Sequence, residues 1–301
     1  MTAGTSRDDA TASRSAKADA RERAAGLIRR YPAAAFFAMT YGVSWAAALS
    51  VALPWLRRGE PLPALAGILM FPAMLLGPSL TGILLTHVLD GRAGLRALGR
   101  RLVRWRLGPW FAALLIPPAL VYGILECLQH LVSPAFAPNL FLIGVLFGVP
   151  AGYLEEIGWT GFVFDKLREG RSALGAAVAL GLLWSTWHLP VVDFLGAAYP
   201  HGSYWLPFFL AFGAAMTAVR VLISWVYVNT GSVLSAQLLH MASTGALVVF
   251  SAPRVDPRQE AAWYGLYALA LWVVVAVVVG THGSDLERPR PGRQPGSLDP
   301  G

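Results

Sequence analysis

The sequence predicts an all-α fold, a polytopic membrane helical bundle of about eight transmembrane helices. Of its 301 residues 55% are hydrophobic and 14% are charged, whereas a soluble domain has roughly 45–50% apolar and about 25% charged residues. The mean hydropathy is +0.53. Many of the charges lie in residues 1–30 and 281–301. This composition excludes a soluble enzyme and a nucleic-acid-binding domain, and the one cysteine, Cys127, excludes a disulfide scaffold.

Eight apolar runs approach the length of about 20 residues that a helix needs to cross the hydrocarbon core of a bilayer. Prolines inside these runs are tolerable, because neighbouring helices can bind the freed carbonyl groups. The predicted spans are Ala33–Leu56, Leu62–Leu89, Pro109–Leu125, Leu140–Trp159, Ala173–Val192, Tyr204–Val228, Ser232–Phe250 and Ala262–Gly280.

The spans define a membrane domain at residues 31–280 between two polar tails. Residues 1–30 have few large apolar side chains, so we expect a disordered cytoplasmic tail in which only Ala24 to Arg30 form a short helix at the membrane surface. Residues 281–301 contain four prolines, and we expect a second disordered cytoplasmic tail there.

Basic residues predict the orientation in the membrane. Thirteen of them lie in residues 21–30, just before the first span, or in the second and fourth loops, and only four lie in the alternate loops. The positive-inside rule then places both termini in the cytoplasm of a multi-pass protein of the cell membrane. The segment Gly91–Leu107 mixes arginines with large apolar residues. It is predicted to be an amphipathic helix at the membrane surface, the alternative being a charged loop.

Four ionisable residues lie inside the apolar spans. Glu155 and Glu156 lie near the end of the fourth span, His188 lies in the fifth span and His240 in the seventh. A carboxylate at the centre of a membrane helix costs about 2.5–3.5 kcal/mol, so such residues indicate function. The two glutamates point about 100° apart on a helix. The alternatives are solvated acids at the end of the span and hydrogen-bonded structural histidines. Carboxylate and imidazole together can activate water or bind a divalent metal.

These residues resemble the motifs of the CPBP family of intramembrane proteases, which includes the type II CAAX prenyl proteases and the Abi proteins. The match covers about Leu140–Phe250. Its three motifs are Glu155-Glu156 with Gly158-Trp159 and Gly161-Phe162, similar to EExxxR; Trp184-x-x-x-His188; and Asn229-Thr230-Gly231-Ser232 leading to His240.

The resemblance implies roles for these residues. Glu155 would be the general base that activates water, with His188 as its partner and Glu156 in support. His240 would bind a metal or stabilise the oxyanion. A divalent metal such as Zn2+ on Glu155, His188 and His240 would make this a metalloprotease, and a metal-free mechanism is equally open.

Two positions depart from the family pattern. Thr160 stands in place of the arginine, which removes a positive charge and leaves the carboxylates harder to keep ionised. Thr244 stands in place of an asparagine four residues after His240. If that asparagine is an oxyanion donor, its loss costs about 10²–10³ in rate.

We therefore predict an intramembrane endopeptidase that cleaves a membrane-associated or lipidated protein or peptide. Its site is expected between the fourth, fifth and seventh spans, toward the cytoplasmic side, with membrane lipid and the substrate as partners and no nucleic acid. One alternative, which Thr160 and Thr244 favour, is an inactive family member that acts as a membrane scaffold or immunity-type interaction protein. The other is a proton-coupled transporter.

Overall fold

A computed structural model describes residues 22–23 and 25–288, and this part of the chain is helical and has no strand. Residues 25–30 are helical and lead into the first long helix. The helices are α1 Pro32–Arg58, α2 Ala64–Leu102, α3 Phe111–Leu114, α4 Ile116–Leu131, α5 Val145–Gly158, α6 Phe164–Arg168, α7 Ala173–Trp187, α8 Trp205–Thr230, α9 Val233–Val249 and α10 Pro257–His282.

Each of the eight apolar runs corresponds to one helical segment, so the predicted all-α membrane bundle is confirmed. Five segments are long and apolar enough to cross a membrane. The other three are shorter or interrupted: α7 and α9 have 15 and 17 residues, and a π-helical turn, Trp159–Val163, joins α5 to α6. The fifth run also ends earlier than predicted, because α7 stops at Trp187 and a 3₁₀ turn follows at Leu189–Phe194.

The predicted tails lie mostly outside the described residues, which omit 1–21, 24 and 289–301. Residues 25–30 form the predicted short helix. Residues 281–288 contradict the prediction of a disordered tail from 281 onward. Leu286 is fully buried, and its carbonyl oxygen accepts a hydrogen bond from Asn229 Nδ2 at 2.7 Å. This hydrogen bond, together with the one that the backbone N–H of Arg288 donates to Asn229 Oδ1, ties the segment to the end of α8.

The helix termini and the connections between helices lie at two opposite ends of the bundle. The arginine-rich end contains residues 92–106, 161–172, 227–232 and 284–288. Arg101 Nη1 there donates to Asp165 Oδ2 at 2.9 Å, and Arg168 lies 3.7 Å from Glu287. The opposite end contains residues 59–63, 132–144, 188–204 and 250–257. There the backbone N–H of Asn139 donates to the Ser251 carbonyl oxygen.

The segment predicted to be a surface helix continues α2 beyond a kink. Gly91 has φ 61° and ψ −153° in the middle of α2, a conformation that glycine adopts without a steric penalty. The helix then runs to Leu102 with Leu98 buried and its other face exposed, while Val103 and Trp105 follow it without helical structure. The amphipathic helix is therefore found from Arg92 to Leu102, shorter than predicted.

The outer surface of the bundle is apolar, unlike that of a soluble protein. Its outer surface carries rows of exposed leucine and valine, such as Leu269, Val273 and Val277 along α10. Its interior holds buried serine, threonine, glutamate, histidine and arginine side chains. An exposed apolar surface of this extent would drive aggregation in water, whereas it suits contact with lipid chains.

Glycines set the position of α5, the helix that carries the two glutamates. A Cβ atom at Gly152 would meet the backbone of α9, and one at Gly158 would overlap the carbonyl oxygen of Pro78 in α2. Membrane helices pack closely where small residues let their backbones approach. Both contacts hold α5 between α2 and α9 with little freedom to shift.

Replacing Gly158 with alanine is expected to destabilise the protein by about 1–3 kcal/mol, because the added methyl group has to displace the backbone of α2. The measurement is thermal unfolding of the purified protein in detergent. Gly123→Ala in α4 is the matched control, since a Cβ there meets nothing within 4 Å. Equal unfolding temperatures for the two variants would contradict the close packing of α5 on α2.

Candidate active site

Glu156 lies at the centre of a buried polar cluster. Its carboxylate accepts two hydrogen bonds from the guanidinium of Arg220 on α8, both at 2.8 Å. It also accepts from His240 Nδ1 on α9, at 2.8 Å, and from the hydroxyl of Thr160. Glu156 and Arg220 are fully buried. The carboxylate therefore has a full set of donors and neutralises the arginine.

Arg220 also packs on an aromatic ring. Its guanidinium carbon lies 4.4 Å from the ring centroid of Trp184 on α7. Cation–π contacts of desolvated cations contribute about 2 kcal/mol. Arg220 thus links three helices, α5, α7 and α8, through a single side chain.

Glu155 points away from this cluster, as expected for adjacent residues on a helix. Its Oε2 accepts hydrogen bonds from two indole groups, Trp184 Nε1 at 2.8 Å and Trp159 Nε1 at 3.1 Å. Both donors are neutral. Among the described residues no arginine or lysine forms an ion pair with Glu155. Glu155, whose hydrogen-bond donors are all neutral, also lines the cavity described below.

Both histidines are oriented through Nδ1. His188 Nδ1 lies 2.9 Å from the carbonyl oxygen of Trp184, which can only accept, so this nitrogen carries the proton. His240 Nδ1 likewise faces the Glu156 carboxylate. In neutral imidazole the Nε2 atom then holds the lone pair. Each ring presents a base or ligand nitrogen whose direction is fixed by its neighbour.

A cavity of 450 Å³ brings the predicted residues together. Glu155, His188, His240 and Thr244 all line it, whereas Glu156 does not. The remaining lining is mostly apolar and aromatic, from α2, α5, α7, α8, α9 and α10. Thr244 lies one helical turn after His240. The arrangement offers a carboxylate, two imidazoles and a hydroxyl on one apolar space, which suits general acid–base chemistry.

Arg220 is the functional residue that the sequence interpretation missed. The expectation that Thr160 leaves the two glutamates without a nearby positive charge is wrong, because α8 supplies the guanidinium that the first motif lacks. Thr160 itself adds a hydrogen bond to Glu156. The signal was present in the sequence, since Arg220 is a lone charge inside an apolar span and such residues normally face a partner in the bundle interior.

The depth of the site differs from the expectation of a position toward the cytoplasmic side. Glu155 is ten residues after the start of α5 and thirteen before the end of α6, or about 15 Å and about 20 Å along the axis. His188 directly follows α7 at the opposite end. The site therefore lies near the middle of the bundle, and its cavity is displaced from the arginine-rich end.

The arrangement of the site residues was also compared with that of a metal-binding site. Among the residues that the structure describes, no three His, Cys, Asp or Glu side chains come close enough together to hold a metal ion. The set Glu155, His188 and His240 as it stands does not fit a three-ligand site, so no step below passes through a metal. Zn2+ binding stays a prediction.

Part of the chain, including the site, is similar to a known protein family. Residues 137–246 match the family model described as type II CAAX prenyl endopeptidase Rce1-like. The segment is thus similar to the Rce1-like family. The CPBP resemblance drawn from the motifs is confirmed, and every predicted site residue lies inside the matched segment. The designations metalloprotease and Abi stay predictions.

One curated protein to which the chain is similar is CAAX prenyl protease 2 from Methanococcus maripaludis. The two are 32% identical over 115 residues, which is 36% of this chain. The chain spans 39% of the length of that relative. The aligned part is therefore little more than a third of each chain, and what the relative cleaves is not transferred with it.

Substitution of Arg220 by methionine is expected to destabilise the protein by about 3–5 kcal/mol, because it leaves the Glu156 carboxylate buried without its cation. Unfolding in detergent measures the loss. The matched control is Arg58→Met, which breaks the half-exposed pair with Glu60 and is expected to cost less than about 1 kcal/mol. Equal effects of the two substitutions would show that the buried pair is not structurally dominant.

Proposed function

We propose that this protein is an intramembrane endopeptidase that hydrolyses a peptide bond in a membrane-associated or lipidated protein or peptide. The observation that carries the proposal is the division between the glutamates. Glu156 is saturated by Arg220, His240 and Thr160. Glu155 faces an apolar cavity with two neutral indole donors and shares that cavity with both imidazoles.

In the proposed reaction a water molecule lies between Glu155 and His188. Glu155 takes one proton from this water, and the water oxygen bonds to the scissile carbonyl carbon. Thr244 and His240 line the same cavity and are the proposed donors to the oxyanion, His240 from Nε2 whenever that atom carries a proton. When the C–N bond breaks, Glu155 returns the proton to the leaving amine. The products are one carboxyl and one amino terminus, and no further reactant is consumed.

The family match and the similarity to the curated protein support peptide hydrolysis over the other two functions. One reason for an inactive protein was the motif arginine missing at Thr160, and Arg220 supplies that charge from α8. The second reason, Thr244, is unchanged. A proton-coupled transporter also needs a buried carboxylate, so cleavage has to be measured directly. Metal analysis of the purified protein separately tests Zn2+ binding.

Glu155→Gln is expected to lower cleavage of a library of lipidated and membrane peptides by about 10²–10⁴, because the amide cannot accept the proton from water. His188→Gln should lower it as well. Glu126→Gln in α4, remote from the cavity, is the control and should cleave at the wild-type rate. Cleavage that survives both active-site substitutions sinks the assignment. A folded wild-type protein that cleaves nothing would favour the scaffold or transporter.

Thr244→Asn is expected to raise kcat, because an amide reaches farther than a hydroxyl and oxyanion donors contribute about 10²–10³ in rate. Thr281→Asn, an exposed position at the end of α10, controls for a general effect of the substitution. Comparison of kcat with KM distinguishes the two possible effects of Thr244→Asn. A change in KM alone would assign Thr244 to substrate binding and contradict its role as an oxyanion donor.

A further inference from the structure

Tyr264 on α10 lines the active-site cavity, although it lies outside the segment that matches the family model. The residue is only 3% exposed. Its ring packs edge-on against Phe208, with centroids 5.0 Å apart, and lies 4.2 Å from the ring of Trp263. Within the described part of the chain its hydroxyl forms no hydrogen bond. The ring is therefore fixed by its neighbours, while its polar group has no partner.

An unpartnered hydroxyl in apolar surroundings costs about 1–3 kcal/mol. A hydroxyl at the border of a cavity regains that free energy when a polar group enters and bonds to it. Tyr267, one helical turn later, provides a contrast, because it is fully buried and does not line the cavity. The two tyrosines thus share a helix and a buried position, and only Tyr264 has access to a bound molecule.

The cavity wall beside Tyr264 is held against the same helix. Glu260, one turn before Tyr264, accepts hydrogen bonds from the backbone N–H groups of Ala197, at 2.8 Å, and Ala198, at 2.5 Å. A Cβ atom at Gly196 would overlap the Glu260 carboxylate. Gly196 and Ala197 line the cavity as well. One helix therefore fixes both this wall and the hydroxyl, as a preorganised binding surface requires.

Tyr264 lies close to the catalytic residues but not among them. It is seven residues after the start of α10, and Glu155 is ten residues after the start of α5, or about 10 Å and about 15 Å from the opposite end. The ring of Phe212 lies 6.3 Å from that of Tyr264 and 5.2 Å from that of His188. An extended chain advances about 3.3 Å per residue. Tyr264 is therefore within about three residues of the bond that His188 and Glu155 would attack.

We infer that Tyr264 binds the main chain of the substrate, through a hydrogen bond between its hydroxyl and a peptide group next to the scissile bond. A peptide group in an apolar cavity is costly unless it is hydrogen-bonded, and a phenol can both donate and accept. The hydroxyl keeps its proton throughout. The ligand class is an extended polypeptide. The inference rests on the proposed function for cleavage, whereas binding is open to test without it.

The binding test uses the full-length Glu155→Gln protein in detergent and an acetylated hexapeptide of alanine and leucine. Fluorescence of Trp184 and Trp187, which line the cavity, reports binding. Adding Tyr264→Phe is expected to weaken binding about 3–10-fold, the contribution of one hydrogen bond. Tyr267→Phe is the matched control and should bind as before. Equal affinities of the two phenylalanine variants, or no binding by the protein with Tyr264, would overturn the inference.

Replacing the amides of the hexapeptide by esters, one at a time, identifies the bonded group. An ester lacks the N–H and has a weaker carbonyl acceptor. At one position the ester should weaken binding to the protein with Tyr264 but not to the Tyr264→Phe variant. The same loss in both proteins at every position would show that the hydroxyl does not bond to the main chain.

Unfolding in detergent distinguishes binding from a structural role. Because the hydroxyl has no partner within the described residues, Tyr264→Phe should unfold at the same temperature as the protein with Tyr264. A lower unfolding temperature would assign the hydroxyl to the fold and contradict the inference.

Cleavage assays separate this inference from the proposed function. In the protein with Glu155 intact, Tyr264→Phe should raise KM about 3–10-fold and leave kcat unchanged, as expected for uniform binding. A fall in kcat alone would contradict binding next to the scissile bond. If binding follows the expected pattern while no peptide is cleaved, the role of Tyr264 stands and the proposed function fails. If Tyr264→Phe binds and cleaves like Tyr267→Phe, the function stands and the role of Tyr264 fails.

Discussion

The buried ion pair between Glu156 and Arg220 is the interaction on which the site depends. Two charges inside a membrane bundle are tolerable only when each is paired and hydrogen-bonded. Here the two guanidinium–carboxylate bonds of 2.8 Å join α5 to α8. His240 extends the same network to α9, and the ring of Trp184 brings in α7. Four helices are held in register around one neutralised pair.

This pairing also explains why two adjacent glutamates have different chemistry. The helix directs them about 100° apart, so that one is enclosed by donors and the other borders the cavity. The first orients His240 and keeps the guanidinium in place. The second, Glu155, is held by the indoles of Trp159 and Trp184 without a cation of its own. A carboxylate in that setting suits proton transfer better than one locked in an ion pair.

Much of this architecture could be predicted from the sequence. The apolar runs predicted the helices because spanning length and composition are local properties. Glu155, Glu156, His188 and His240 were identified because ionisable residues inside apolar spans are energetically costly and therefore indicate function. Residues 281–288 were wrongly assigned to a tail because the hydrogen bond from Asn229 near the end of α8 to the Leu286 carbonyl oxygen is a long-range contact.

The role of Arg220 was not predicted from the sequence for a related reason. The motif comparison drew attention to the arginine missing at Thr160, whereas the replacement comes from a helix 60 residues later in the chain. Only the three-dimensional packing reveals that a position on α8 meets Glu156 on α5. The position of the cavity could not be predicted either, because it depends on how six helices pack together rather than on any single segment.

The central claim is that the Glu156–Arg220 pair builds the site while Glu155 performs the reaction. The most direct measurement is turnover per folded molecule of the double variant Glu156→Gln with Arg220→Met. Removing both partners of a buried pair together costs far less stability than removing one. The account predicts a folded protein with reduced but measurable cleavage. A well-folded double variant with no cleavage at all, alongside an active Glu155→Gln variant, would contradict it.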